Sequence, residues 1–340
     1  MRFVLPHVRI LNAGFLCIDI IAARLPKIPD PGEIVYAPAE IKLRIGGHPA
    51  NVSIDLIQLG VKRGEVGIIC AVGEDYLKNF AIRTLESRGI VTFIQEIEGV
   101  ETSKTVVIVV EGEDRRYIND PGANMRLRFN HVLEVLKEVR PRIFYIASGL
   151  LGDLDFRVWE LLKLCKESGV ITVIDLVNPV GKDWSYIHPA LKFTDMMHCN
   201  TLELRGISGE PEIEDGIRWL AEKGVKLPVI SDGEKGVISL FQDHIIRQPA
   251  FKVKAVDPTG AGDALCAGII FKLSELIRSE KSLEDLSPEV IPELLIYGQA
   301  AGAACIGEIG TTPGVTADRV RRLINEQGEK VLSATSIKPI

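Results

Sequence analysis

Long basic runs are missing from this chain of 340 residues, and acidic side chains outnumber basic ones, 46 to 40, for a formal charge of -6. That balance argues against a nucleic acid or an anionic membrane surface as partner, since either would favour a basic face. Nor is any stretch long and apolar enough to span a bilayer, and Met1 to Ile10 lacks the sustained apolar core of a secretory signal. A cytoplasmic location is expected. Cysteine is sparse: Cys17, Cys70, Cys165, Cys199, Cys266 and Cys305 are scattered, with no C-x-x-C pair and no zinc-like spacing with histidine. They read as small buried apolar residues of a reducing compartment rather than as a metal site. Three nucleotide signatures are absent as well. There is no G-x-x-x-x-G-K-[ST] loop, no H-R-D with D-F-G, and no G-x-G-x-x-G behind the first strand. These absences set aside P-loop enzymes, protein kinases and dinucleotide-dependent dehydrogenases.

What is present is an ordinary globular composition, 46% hydrophobic and 25% charged, in a length that suits one large α/β domain with an appendage. Apolar runs at Val66 to Val72, Ile143 to Ala147, Val170 to Asp175, Met196 to Asn200 and Val229 to Ser231 alternate with amphipathic stretches such as Tyr76 to Ser87, Leu154 to Ser168 and Ile213 to Lys223. This rhythm predicts βαβ units, hence a mainly parallel sheet with helices on both faces. Val8 to Ile21 reads as one buried first strand that delivers Asp19 at its end, and Gly236 to Phe241 with His244 to Pro249 as an antiparallel edge. The stretch after Gln327 is expected to fray. The texture changes at residues 27–43, where Pro29, Pro31-Gly32 and Pro38 alternate with Ile34, Tyr36, Ile41 and Leu43. It changes again at residues 105–118, a hairpin pattern around Gly112-Glu113-Asp114. Two such strand pieces predict a small β-sheet lid, leaving residues 1–26, 44–104 and 119–340 for the α/β domain.

Two glycine turns feed helical patterns. Asp257-Pro258-Thr259-Gly260-Ala261-Gly262-Asp263 runs into the apolar stretch from Ala264 to Ile270. Glycines at the positive end of a helix dipole leave N–H groups free for a phosphate oxygen. Asp263 at the mouth of that turn is either an ordinary N-cap or a general base. A carboxylate would repel a bound phosphate unless it took part in the reaction, which favours the base. The second turn, Gly46-Gly47-His48-Pro49-Ala50-Asn51, lets a ligand approach the backbone, and Asn51 and Asp19 are suited either to substrate hydroxyls or to capping. Ligands of parallel sheets bind beyond the carboxyl ends of the strands, which adds Asn200, Glu203 and Ser231-Asp232-Gly233 as candidates.

Gly46-Gly47 with Asn51, and Asp257 to Asp263, resemble the amino- and carboxy-terminal signatures of the ribokinase, or PfkB, carbohydrate-kinase family. The resemblance covers most of the chain. It implies transfer of the γ-phosphoryl group of ATP, with Mg2+, to a hydroxyl of a sugar or related polyol, an inositol or a nucleoside. A non-catalytic sugar or nucleotide sensor on the same fold is the alternative. Asp263 would be the base; the N–H groups of Gly260, Ala261 and Gly262 would form the anion hole; and Asp19, Gly46, Gly47 and Asn51 would hold the acceptor. Asn200-Thr201-Leu202-Glu203 is similar to the family's N-x-x-E motif, with Glu203 organising magnesium through water. Ser231, Gly233 and Gly236 would belong to the nucleotide loop, together with Thr259, and residues 298–310 would border the adenine. Pro258 stands where threonine is frequent, and Glu308-Ile309-Gly310 departs from ribokinase's pattern near its monovalent-cation site, so potassium activation is not carried over. The alternating apolar residues Ile34, Tyr36, Ile41, Leu43, Val107 and Val109 imply at least one lid face needing a cover, supplied in part by the substrate and otherwise by a second lid in a homodimer, as the resemblance also implies; a monomer whose lid folds onto its own domain is the alternative.

Overall fold

The short apolar runs become strands because each is buried on both sides. In the computed structural model, which describes residues 7–38, 41–113, 115–277 and 282–340, successive residues of the strand at Ile143–Ser148 point into two different cores. Ile143, Tyr145 and Ala147 join one cluster; Phe144 and Ile146 join the other. In chain order the strands are β1 Ile10–Ala13, β2 Cys17–Leu25, β3 Lys42–Gly46, β4 Val66–Gly73, β5 Val91–Ile97, β6 Lys104–Val110 and β7 Arg116–Asp120. They continue with β8 Ile143–Ser148, β9 Ile171–Leu176, β10 Met196–Asn200, β11 Leu227–Ser231, β12 Val237–Phe241, β13 His244–Gln248 and β14 Ser336–Pro339. The helices are α1 His48–Leu59, α2 Tyr76–Ser87, α3 Phe129–Val139, α4 Val158–Glu167, α5 His188–Leu191, α6 Thr201–Ser208, α7 Ile213–Glu222, α8 Ala261–Leu276, α9 Ile291–Ile306 and α10 Ala317–Ser333.

Ten strands form one sheet in the order β14-β13-β12-β11-β10-β9-β8-β1-β4-β5. It is parallel from β11 to β5 and antiparallel from β11 to β14. Helices α3 to α7 cover one face, while α1 and α8 to α10 cover the other. Helices α8 and α9 pack closely, with Gly268 set against the backbone of Tyr297 and Gly298. Among the described residues no helix is long and apolar enough to cross a membrane.

Three expectations are corrected. The apolar run from Val8 to Ile21 is two strands in two sheets: β1 lies in the large one, and β2, which carries Asp19, is central in a separate four-stranded sheet ordered β3-β2-β6-β7. Within residues 27–38 there is no strand, because Pro29, Pro31 and Pro38 cannot donate to a ladder. The chain after Gln327 does not fray: α10 continues to Ser333, and β14 pairs with β13 from Arg247 to His244. The hairpin does form, as β6 and β7, although Asp114 of its turn lies outside the described residues.

Register decides which side of the small sheet faces inward. Asp19 stands opposite Arg44 and Thr105, and Thr105 opposite Asn119, so one polar row crosses all four strands. The next inward row has Ile21, Val107 and Tyr117. Val107 is thus an inner residue, on the cavity side of the sheet. The outer row is Leu43, Ile20, Val106 and Ile118, of which Ile118 is 64% exposed.

Candidate active site

Between the small sheet and the carboxyl ends of β9, β10 and β11 lies a cavity of about 1300 Å³. Asp19, Gly47, Asn51, Asn200, Glu203, Ser231, Thr259, Gly260, Ala261, Gly262 and Asp263 all line it. Gly46 lies directly behind, against the Asp19 carboxylate. Gly233 and Gly236 do not line it: Gly233 is open on its Cβ side, and Gly236 is packed on the backbone of Gln248 to Ala250. Of residues 298–310, Gly310 reaches the cavity, whereas Gly298 is buried against α8.

The centre is the start of α8. Gly260 caps the helix with φ 81° and ψ 2°, a left-handed conformation that glycine adopts without strain, and a Cβ there would fall 2.8 Å from Thr311. The first bond of the helix runs from the Ala264 amide to the Gly260 carbonyl, so the amides of Ala261, Gly262 and Asp263 precede the helical ladder. Ala261 makes only a long 3.4 Å bond to Pro258. Asp263 is 7% exposed. Its Oδ2 accepts from Asn51 Nδ2 at 2.8 Å, and Asn51 Oδ1 accepts from Thr311 Oγ1 at 2.8 Å. Asn51 therefore has both ends of its amide engaged, holding the aspartate. His48 Nδ1 lies 3.6 Å from Asp263 Oδ1, beyond hydrogen-bond range. Burial raises the Asp263 pKa; His48, Asn51 and His198 oppose that rise, and Asp175 adds to it.

Beneath this turn is a carboxylate–imidazole pair that the sequence did not reveal. Asp175, last but one of β9, and His198, in the middle of β10, are 3% and 5% exposed and meet at 3.0 Å. Asp175 also accepts from Tyr145 Oη at 2.9 Å and from the Leu176 amide at 2.9 Å. The far nitrogen of His198 is 3.2 Å from Ser231 Oγ. Its Cε1 lies where a Cβ on Gly262 would come within 2.9 Å, so the imidazole packs directly on the anion turn. Burial alone would push the Asp175 carboxyl up, but the charge and hydrogen bond of His198 hold it well below the carboxylate range. His198 is raised: burial opposes its charge, and Asp175 more than offsets that. Asp175 lies at a strand end and closes an apolar run, which is the signal that could have found it.

Asp257 organises the rest of the loop. Its Oδ1 accepts from the amide and hydroxyl of Thr259 at 2.9 and 2.6 Å, and its Oδ2 from the Gly310 amide at 2.9 Å. Arg115, at the start of the second hairpin strand's approach, pairs with the same carboxylate, and Tyr117 Oη is 3.3 Å from Thr259 Oγ1. The small sheet is thus closed on the anion turn. Burial would raise the Asp257 pKa, yet the bonds from Thr259 and Gly310 and the charge of Arg115 lower it. On the sheet's inner face, burial pushes Asp19 up to about 6, despite bonds from Cys17 and Thr105. Glu203 is raised by burial as well; its Oε2 closes a capping box on the Asn200 amide at 2.8 Å, and its other oxygen is left to the cavity.

A family model for pfkB family carbohydrate kinases matches residues 12–318. A deoxyribokinase of Salmonella typhi is 28% identical over 252 residues, 70% of this chain and 77% of its own length. A probable fructokinase of Arabidopsis thaliana is 25% identical over 325 residues, 90% of this chain and 94% of its own. The ribokinase of Giardia lamblia, at 19% identity, superposes with a TM-score of 0.81 over 94% of this chain and 99% of that one, a likeness of fold.

Proposed function

Since the chain belongs to the pfkB family of carbohydrate kinases, we propose that its cavity aligns the hydroxyl of a sugar or related polyol, Asp263 and the γ-phosphate of ATP for direct transfer. It is a phosphotransferase with an alcohol group as acceptor. The observation that carries the assignment is the buried Asp263 at the amino end of α8, one oxygen tied to Asn51 and the other open. A sensor would have no use for a base there.

The acceptor oxygen attacks the γ-phosphorus, its proton passes to Asp263 Oδ1, and the bond to the β–γ bridging oxygen breaks to release ADP. In a loose transition state the proton leaves late, so a carboxylate suffices as base. Charge that shifts onto the phosphoryl and bridging oxygens meets the amides at the start of α8 and the dipole of a 16-residue helix. Asp19 takes a neighbouring hydroxyl of the acceptor, and Asn51 keeps the base in place. The residues present fit a hydrated divalent ion. Glu203 is a half-buried carboxylate that spends only Oε2 on its capping box, and Asn200 uses its carbonyl oxygen on the amides of Leu202 and Glu203, leaving its N–H groups to donate to a phosphate oxygen. Mg2+, held through water by Glu203, would neutralise phosphate charge. The small sheet, residues 17–25, 42–46, 104–110 and 116–120, acts as the lid.

The apolar outer row Leu43, Ile20, Val106 and Ile118 supports a homodimer through that lid. Six free, buried cysteines are in keeping with a reducing cytoplasm. The reading is tested by ADP release across sugars, inositols and nucleosides with ATP and Mg2+, and by Asp263→Asn. That variant should bind ATP normally and lose roughly 10²–10⁴ in kcat. Retained turnover would overturn the base, and a panel with no active acceptor would overturn the kinase.

A further inference from the structure

The inner face of the lid carries more than hydroxyl-binding groups. Arg44 of β3 stands opposite Asp19 in the register of the small sheet, so both point to the cavity side, and Arg44 lines the cavity. Arg88, at the carboxyl end of α2, lines the same wall together with Phe80 and Thr84. Among the described residues neither guanidinium has a carboxylate partner. The acidic groups nearby are otherwise engaged: Asp19 takes the Cys17 thiol at 3.3 Å, Asp257 holds Arg115, and Asp175 holds His198. Arg88 spends one arm on the Thr84 carbonyl at 2.8 Å, which leaves the rest of its fork unused. The two cations are near enough to oppose each other, since burial and then the charge of Arg44 both lower the Arg88 pKa. Like charges held at one wall of a ligand cavity, without a counterion, are a cost that an anionic ligand would remove.

Position says which ligand. Across the small sheet, β7 meets the anion turn through Tyr117, and β3 is the opposite edge. The strand spacing of about 4.8 Å puts Arg44 roughly 14 Å from β7 but only one strand beyond Asp19. The arginines thus belong to the acceptor end and not to the phosphates of the nucleotide. We propose that the preferred acceptor is a polyol bearing an anionic group, a carboxylate or a phosphate, at the end remote from the reacting hydroxyl, bound by Arg44 and Arg88. This rests on the kinase reading above. A guanidinium fork matches either oxyanion in two-point geometry.

The test is ADP release at saturating ATP and Mg2+ with matched acceptors: neutral aldoses and ketoses, nucleosides, aldonic and keto-aldonic acids, and sugar monophosphates. The wild type is expected to have its highest kcat/KM on an acid or a monophosphate, and the two arms tell which. In R44Q, R88Q and the double variant, the ratio of kcat/KM for the anionic acceptor to that for a neutral one should fall about tenfold to a hundredfold per arginine, mostly through KM. R44K/R88K, which keeps the charges, should recover part of it, and this separates lost charge from lost folding. A neutral sugar or nucleoside as best acceptor, or a ratio unmoved in the double variant, would overturn the inference and leave the kinase standing. An entire panel without turnover would overturn both.

Discussion

Replacing Asp175 with asparagine isolates the charged pair under the anion turn. The carboxylate is 3% exposed and receives His198, Tyr145 and the Leu176 amide. Asparagine keeps the shape but leaves a buried imidazole without its counterion and turns an acceptor oxygen into a donor. Breaking one partner of such a pair costs about 3–5 kcal/mol. With an unfolding entropy of about 2.1 cal/mol/K per residue, a chain of this length gains roughly 0.7 kcal/mol/K, so Tm should fall by about 4–7 °C. The pH dependence has a definite sign. Asp175 is depressed in the fold, so its contribution is present above the ordinary carboxylate range and is lost as pH falls through the lower folded value. His198 is raised, so its contribution is complete below about 6.5, the ordinary histidine value, and is lost as pH rises through the raised one. The gap between wild type and variant should therefore be widest between about pH 4 and 6.5 and narrow above. Calorimetric melts from pH 5 to 9 measure it. A variant within about 1 °C of wild type at pH 6, or a gap that widens towards pH 9, would refute the reasoning.

Three further outcomes are expected. Asn51→Ala removes a hydrogen bond that lowers the Asp263 pKa, so the acid limb of the kcat/KM profile should move to higher pH while the fold survives; an unmoved limb would detach Asn51 from the base. Arg115→Ala takes away the lid's ion pair with Asp257. It should raise KM for both substrates severalfold with a smaller change in Tm, as read by steady-state kinetics and melts; unchanged KM values would mean that closure does not depend on that contact. Val106→Asp puts a charge in the outer row of the lid, and sedimentation should then give monomer, against the dimer proposed for the wild type. A wild type that sediments as monomer at micromolar concentration with acceptor and ATP analogue would remove the shared lid.

Much of the scaffold is legible in the chain because parallel strands announce themselves as unbroken apolar runs between amphipathic stretches. Tyr76 to Ser87 is a helix at the expected bounds, and the runs at Val66, Ile143 and Met196 are strands. Both glycine turns are legible too, since their form is local: Gly47 and Gly260 cap the two helices with positive φ. What fails is whatever depends on a distant partner. Gly14-Phe15-Leu16 carries no polar break, so nothing local says that the chain leaves one sheet there and enters another. Ser336–Pro339 is polar and short, and it is a strand only because the edge of β13 is available to it. Asp175 and His198 are 23 residues apart on neighbouring strands, and their coupling exists only once β9 and β10 are paired. Which face carries Val107 is illegible for a similar reason: alternation gives the two faces of a strand, but only the partner's register says which is inside.

The single carboxylate of Asp257 is shared between Thr259, Gly310 and Arg115, and this joins two binding events into one thermodynamic cycle. On the proposed reading the acceptor is cradled by the inner face of the lid, and the nucleotide by the turn that Asp257 shapes. Whichever ligand draws Arg115 and the turn into their joint arrangement spares the other that ordering. The two affinities then rise by one common factor, whichever ligand arrives first. Mutual reinforcement of this kind also keeps the turn from being completed around ATP alone, so that water has a poor chance of replacing the sugar as the group that receives the phosphate.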